Sequence, residues 1–181
     1  MGPSASILET HGGKGKIFLN CYSAFRQGAV FEKDEAKSDV LADQRPGWAV
    51  YQNDCVPAIA AGVGFQFAPN FFDLDPYGEC WPVMDAVFAG MATRPKPARV
   101  AFVVNDGLRQ KLAMKAGWSV GSLAATVKKF GNDCMYEKYL EICKDMVKEK
   151  AGQAGYRLSR WVGYYCGHAG QMTHFAAILD R

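Results

Sequence analysis

No apolar run in the sequence approaches the ~18 residues of a membrane span, so a transmembrane helix is not expected. The first residues, MGPSAS, carry neither the basic nor the apolar part of a signal peptide. The six cysteines, at positions 21, 55, 80, 134, 143 and 166, form no CxxC pair and no metal-ligand spacing. Scattered through apolar stretches, they read as reduced, buried thiols of a cytoplasmic protein. The three histidines are unclustered, so no metal site is expected. Neither sign of charge dominates, because 21 Lys and Arg stand against 18 Asp and Glu, for a formal net charge of +3. That balance admits a nucleic-acid partner without demanding one. Repeats, low-complexity tracts and linkers are missing, and the 181 residues are expected to form one domain with a full core.

What the chain does have is an alternation of β-rich and helical runs. SASILET (4–10) is a short apolar run followed by HGGKG. KIFLNCYSAF (16–25) can form a helix with Ile17, Cys21, Ala24 and Phe25 on one face. Residues 28–34 and 48–54 read as strands, 34–44 and 56–64 as helices. NFFDLDPYG (70–78) is a fourth strand that ends in two carboxylates, a proline and a glycine. Residues 81–90 read as a helix, and RVAFVVND (99–106) as the best buried-strand candidate. Helices are expected over 108–118 and 132–152, the second with a stripe at Tyr136, Tyr139/Leu140, Cys143 and Met146/Val147. Two strand-like runs, 157–167 and 171–181, close the chain around a short turn holding His168 and Gly170.

Strands separated by helices imply right-handed crossovers and a parallel sheet covered on both faces. The last two runs are too close for a crossover and should pair antiparallel. The expected fold is therefore an α/β sandwich with one reversed strand near its end. Ligands of such sheets bind beyond the carboxyl ends of the strands.

Four of those ends carry polar or glycine residues. After strand one comes Glu9-Thr10-His11-Gly12-Gly13-Lys14-Gly15, where glycines permit positive φ and close approach of a ligand. After strand two stands Glu32, placed to accept from a ribose diol, with Asp34 as its rival or a solvated charge as the plainer reading. After strand three come Asp54 and Cys55. Asp54 can accept from an adenine amino group or simply cap a helix. After strand four stands Asp75. The intervals of 17, 22 and 21 residues from Gly15 through Glu32 and Asp54 to Asp75 match successive β-α units, so these acids should converge on one edge.

These features together resemble a class I S-adenosylmethionine-dependent methyltransferase over nearly the whole chain. The likeness rests on ETHGGKG, the acids of AVFEKD and VYQND, DLDPYG, and the closing hairpin. It implies a Rossmann-like sandwich of strand order 3-2-1-4-5-7-6 with strand seven antiparallel. In the family's acid-x-Gly-x-Gly-x-Gly loop, Glu9, Gly13 and Gly15 fit, and His11 takes the first glycine position. The resemblance implies S-adenosylmethionine as cofactor, leaving as S-adenosylhomocysteine, held by Glu9, His11, Gly12, Gly13, Gly15, Glu32, Asp54, Cys55 and Asp73. DLDPYG is similar to the motif of tRNA guanine-N2 dimethyltransferases and of enzymes that methylate exocyclic amines of bases. It implies Asp75, or the Pro76 carbonyl, as the acceptor for an amine N–H, and Tyr77 as a stacking surface for a flipped base. Asp73 is expected on the opposite face from Asp75, holding the glycine loop or the cofactor's amino-acid end.

The tRNA enzymes carry a further RNA-binding domain, which is not expected in these 181 residues, and the helices that often precede strand one are likewise not expected. A helical insertion at about 118–156, or a partner subunit or second copy, would then supply recognition of an RNA or DNA substrate. Lys128, Lys129, Lys144, Lys148, Lys150, Arg157 and Arg160 suit phosphate contact, or the solvated face of two helices. Tyr164 and Tyr165 suit a stacking wall or the core. His168 suits a site edge or a solvated turn. Trp81 and Pro82 suit a pocket rim or a helix start. Two other classes remain beside the enzyme: a non-catalytic methyltransferase-like binding or partner module, and a nicotinamide-dependent oxidoreductase sharing the glycine loop and ribose acid.

Overall fold

The structure, a computed structural model, describes residues 5–92, 94–114 and 123–181. Seven strands form one sheet: β1 (Ile7–Glu9), β2 (Gly28–Glu32), β3 (Ala49–Gln52), β4 (Phe71–Leu74), β5 (Arg99–Asp106), β6 (Arg157–Cys166) and β7 (Met172–Asp180). Their spatial order is β3-β2-β1-β4-β5-β7-β6. β1 to β5 run parallel, and β7 lies antiparallel between β5 and β6. The expected fold and strand order are both observed.

Among the described residues the connecting α-helices are α1 (Glu35–Gln44), α2 (Cys55–Ala60), α3 (Trp81–Ala92), α4 (Leu108–Ala113), α5 (Ala124–Phe130), α6 (Asn132–Glu137) and α7 (Tyr139–Gln153). Two begin on carboxylates singled out above. Asp34 caps α1 by accepting from the Lys37 N–H at 3.0 Å, and Asp54 caps α2 by accepting from the Val56 N–H at 3.1 Å. On one face of the sheet, α2, α3 and α7 bury a large core with Phe72, Phe102, Trp81 and Phe175 at its centre. On the other, α1 and the turn after β1 bury Ile7, Phe18, Tyr22, Val30, Leu41 and Trp48. That second core covers the β3-β2-β1-β4 half.

Two elements differ from expectation. The helix over 16–25 is a short turn of π winding at Phe18–Tyr22. It buries Phe18 and Tyr22 and leaves Cys21 and Ala24 exposed, because the Tyr22 hydroxyl is drawn to the Asp73 carboxylate. The helix over 132–152 is broken at Lys138. The Leu140 N–H donates to the Tyr165 hydroxyl at 2.9 Å, and the Tyr136 carbonyl accepts from Arg109 Nε at 3.1 Å, so the helical bond between those two groups is replaced. The end of the helix expected over 108–118, and the start of the insertion, lie outside the described residues, as does Ser4 of the first run.

Candidate active site

The loop after β1 is built by close packing. The Thr10 N–H and hydroxyl both donate to the Asp73 carbonyl, at 3.0 and 3.1 Å, and the Gly12 N–H donates to the Phe31 carbonyl at 2.9 Å. A Cβ on Gly12 would stand 2.5 Å from Leu41 and 2.6 Å from Val30, so no side chain fits between loop and core. Gly13, at φ +53°, faces open space instead. Its backbone is bare toward a cavity of about 270 Å³ lined by His11, Gly12, Gly13, Lys14, Ile17 and Asp75.

Glu9 points away from this cavity. It is buried and pairs with Arg45, whose guanidinium lies 4.3 Å over Phe18 and 5.3 Å over Trp48. Burial pushes the Glu9 carboxyl up to about 7 against the pull of Arg45. Asp73 is likewise buried and accepts from the Tyr22 hydroxyl at 2.7 Å, with burial raising its carboxyl to about 6. Asp73 and Asp75 share a face, contrary to the expectation stated above. Asp73 sits in register with Val103, and Asp75 meets Asn105, two residues further along the same strand. Residues two apart in a strand point the same way. Neither Glu9 nor Asp73 lines the cavities along this edge; Glu9 is taken up by Arg45, and Asp73 fastens the loop through its carbonyl, which accepts both Thr10 donors.

At the β2 and β3 ends, Glu32 accepts from the Gly13 N–H at 2.8 Å and the Asp34 N–H at 2.9 Å. Each of its oxygens keeps a lone pair for a further donor. Glu32 lines a cavity of about 130 Å³ with His11, Asn53, Asp54 and Cys55. His11 belongs to both cavities. The Thr10 hydroxyl proton is committed to Asp73, so its oxygen accepts from His11 Nδ1–H at 2.8 Å. This assigns His11 Nε2 as the acceptor, 3.6 Å from the Cys55 thiol. Burial lowers the His11 pKa, which keeps the ring neutral at pH 7, and raises the Cys55 thiol to about 11.

Asp75 borders the 270 Å³ cavity and a third, of about 690 Å³, lined with Pro76, Tyr77, Gly78, Gly107, Lys111 and Met172. Asn105 Nδ2 donates to Asp75 Oδ1 at 2.8 Å and leaves the other carboxylate oxygen for a ligand. Tyr77 is fully exposed. The stretch behind it is fixed by Asp106, which accepts from the Cys80 and Leu108 N–H groups at 3.1 and 3.2 Å and from the Tyr139 hydroxyl. Tyr139 in turn accepts from Trp81 Nε1 at 3.0 Å, so Trp81 belongs to the buried frame. His168 lies exposed in the last turn, and His174 stacks on Tyr164 with ring centroids 5.4 Å apart.

Arg45, Asn105, Asp106 and Tyr139 were not among the residues expected at this edge. Asn105 and Asp106 were legible as polar residues closing a buried strand where the other acids lie. Arg45 and Tyr139 gave no such signal.

No family model and no curated protein matches the sequence. Solved structures do match. TYW2 of M. jannaschii, in complex with AdoMet, has a TM-score of 0.60 at 14% identity over 99% of this chain and 70% of its own. The fold is that of the methyltransferases. Trm1 of Pyrococcus horikoshii, solved with S-adenosyl-L-methionine, has a TM-score of 0.65 at 14% identity, and this chain covers half of it, 50%, with 97% of its own length. The plantazolicin methyltransferase BpumL, solved with a desmethylPZN analog and SAH, has a TM-score of 0.58 at 8% identity over 98% of this chain and 77% of its own. At such identities the methyltransferase fold is what these likenesses establish.

Proposed function

We propose that this chain is an S-adenosylmethionine-dependent methyltransferase acting on an amine, with an exocyclic amine of a nucleic-acid base as the preferred acceptor. One observation carries the reading. The three cavities along the carboxyl edge are joined by shared walls, His11 between the one beside Glu32 and the one beside Gly13, and Asp75 between the latter and the one beside Tyr77. We read these neighbouring cavities as one groove running from Glu32 and Asp54 past Gly13 to Asp75, Pro76 and Tyr77.

The residues present fit the cofactor. Glu32 has lone pairs left for a ribose diol, Asp54 and Cys55 border the base end, and Gly13 leaves open space beside the loop, while Gly12 and Gly15 let the loop pack against the core. Asp73 holds that loop in place through Thr10, and Glu9 is engaged with Arg45 behind it. When bound, the cofactor supplies an electrophilic methyl group on a sulfonium.

An aryl amine is a weak nucleophile because its lone pair is delocalised into the ring. Asp75, turned by Asn105, accepts one N–H with its second oxygen, and the Pro76 carbonyl accepts the other. The nitrogen lone pair is then aimed at the methyl carbon, so alignment rather than a strong base carries the rate. Methyl transfer to the nitrogen would release one proton, which the open third cavity would pass to solvent. The exposed ring of Tyr77 offers a flat face on which a base drawn from its helix can stack. Such an acceptor makes RNA or DNA the partner. TYW2 and Trm1, whose folds this chain shares, lend support in kind but do not name the acceptor.

A second reading, a cofactor-binding module without transferase activity, is favoured by His11, whose ring takes the place of a glycine and faces both inner cavities. The experiment that separates them offers methyl-labelled S-adenosylmethionine with RNA, single- and double-stranded DNA, peptides and small amines, followed by digestion and chromatography. The proposal expects label on a base nitrogen, and Asp75→Asn to retain cofactor binding while transfer falls by about a hundredfold or more. Label confined to oxygen or carbon, or undiminished transfer by Asp75→Asn, contradicts it. Cofactor binding with no label in any pool selects the module.

A further inference from the structure

A mostly parallel sheet is normally covered on both faces. Here the face that carries α1 and the π turn is covered only over β3, β2, β1 and β4, and none of the described elements packs on its continuation across β5, β7 and β6. Register places Val103, Ala176 and Val162 in one row across that continuation, with Ala101, Ile178 and Arg160 on one side and Asn105, His174 and Tyr164 on the other. Val103 is 37% exposed on a central strand, and Val162 and Tyr164 are 61% and 58% exposed on β6. Exposed singly, apolar residues mean little, but a contiguous row of them marks an interaction surface.

We infer that this face docks on the same face of a second copy of the chain, because it is complementary to itself. A two-fold axis lying in the interface, across the strands at the Val103–Ala176–Val162 row, sets that row against its own copy. The rows on either side then exchange, so that Arg160 of one copy meets the stacked Tyr164 and His174 rings of the other, twice. Two apolar rows close at the centre, and two exposed guanidinium groups find aromatic faces at the ends, as an isologous contact requires. A two-fold axis along β7 would instead set Arg160 of each copy against Ala101 of the other, and Tyr164 against Asn105.

Three strands at ~4.8 Å spacing and about seven residues at ~3.3 Å give a patch of roughly 300–400 Å² in projection. That is below the ~800 Å² per partner of a standard interface, so the dimer is a weak one, with Kd in the micromolar range. The contact does not rest on the methyltransferase reading. One of its rows ends at Asn105, which donates to Asp75.

Sedimentation equilibrium of the full chain between about 5 and 200 µM tests it. The wild type is expected to pass from monomer to dimer over that range. Val162→Lys, an exposed position whose replacement leaves the circular dichroism and Tm unchanged, should raise Kd at least tenfold. Arg160→Glu and Tyr164→Lys should each do the same. The double variant should regain the dimer, because the carboxylate introduced at position 160 then faces the ammonium introduced at position 164 of the other copy. A wild type that stays monomeric at about 200 µM overturns the proposal. So does a dimer indifferent to Val162→Lys, or a double variant no tighter than its parents.

Discussion

Replacing Asp106 by Asn removes the carboxylate that frames the stretch behind Tyr77 while keeping its shape. Asp106 is wholly buried, and burial raises its carboxyl from 3.8 to about 6, against the pull of the Tyr139, Leu108 and Cys80 donors. A raised acid holds its proton longer in the folded chain than in the unfolded one. The folded state therefore binds more protons between about pH 4 and 6, and stability falls as the pH rises through that window. At ~1.36 kcal/mol per unit, the full loss is about 3 kcal/mol, of which about 1.4 kcal/mol falls between pH 5 and 7.5. Glu9 and Asp73, raised to about 7 and about 6 by burial, impose slopes of the same sign on both proteins. The comparison with Asp106→Asn isolates the Asp106 share. The amide keeps an oxygen for the Cys80 and Leu108 N–H groups, and what it loses toward Tyr139 does not change with pH. Urea unfolding followed by tryptophan fluorescence at pH 5, 6 and 7.5 reads the difference. With a slope near ~2 kcal/mol/M, the midpoint of the wild type should fall by about 0.7 M more than that of the variant. Equal losses in the two proteins would refute the reasoning.

Other residues give sharper, smaller tests. Arg45→Met strands Glu9 without its cation and should cost about 3–5 kcal/mol in urea unfolding, while the double variant with Glu9→Met should recover most of it. Gly12→Ala forces a Cβ against Leu41 and Val30 and should cost about 1–3 kcal/mol by the same measurement. Tyr77→Ala touches nothing folded, so its stability should stay within about 0.5 kcal/mol of wild type. With a base acceptor its KM should rise about 5- to 150-fold, the ~1–3 kcal/mol of one stacked ring, and an unchanged KM would remove the stacking role.

The strands were the legible part of the sequence because each is a short apolar run punctuated by glycine, proline or an acid. RVAFVVND has the observed limits of β5, Arg99–Asp106. The converging acids were legible too, since β-α units of similar length return each strand end to one edge. Legibility ended where side chains from distant segments meet. Arg45 serves Glu9 across 36 residues and Tyr139 serves Asp106 across 33, and no local pattern announces either pair. The π turn escaped because a helical period groups Ile17 with Cys21 as readily as Phe18 with Tyr22, and the face chosen depends on the bond from Tyr22 to Asp73, 51 residues away. The break at Lys138 escaped for the same kind of reason, as it depends on Arg109 and Tyr165. The alternatives left open at Asp34 and Asp54 are answered in part: both cap helices, and Asp54 also borders the groove.

Calorimetric titration with S-adenosylmethionine, run on the native chain and on Glu32→Ala, tests the central claim most directly. Binding is expected, and loss of the Glu32 carboxylate, worth about 1.5–3 kcal/mol, should weaken it about 10- to 150-fold. No heat from either protein at about a millimolar ligand, or equal affinity for both, would contradict the account.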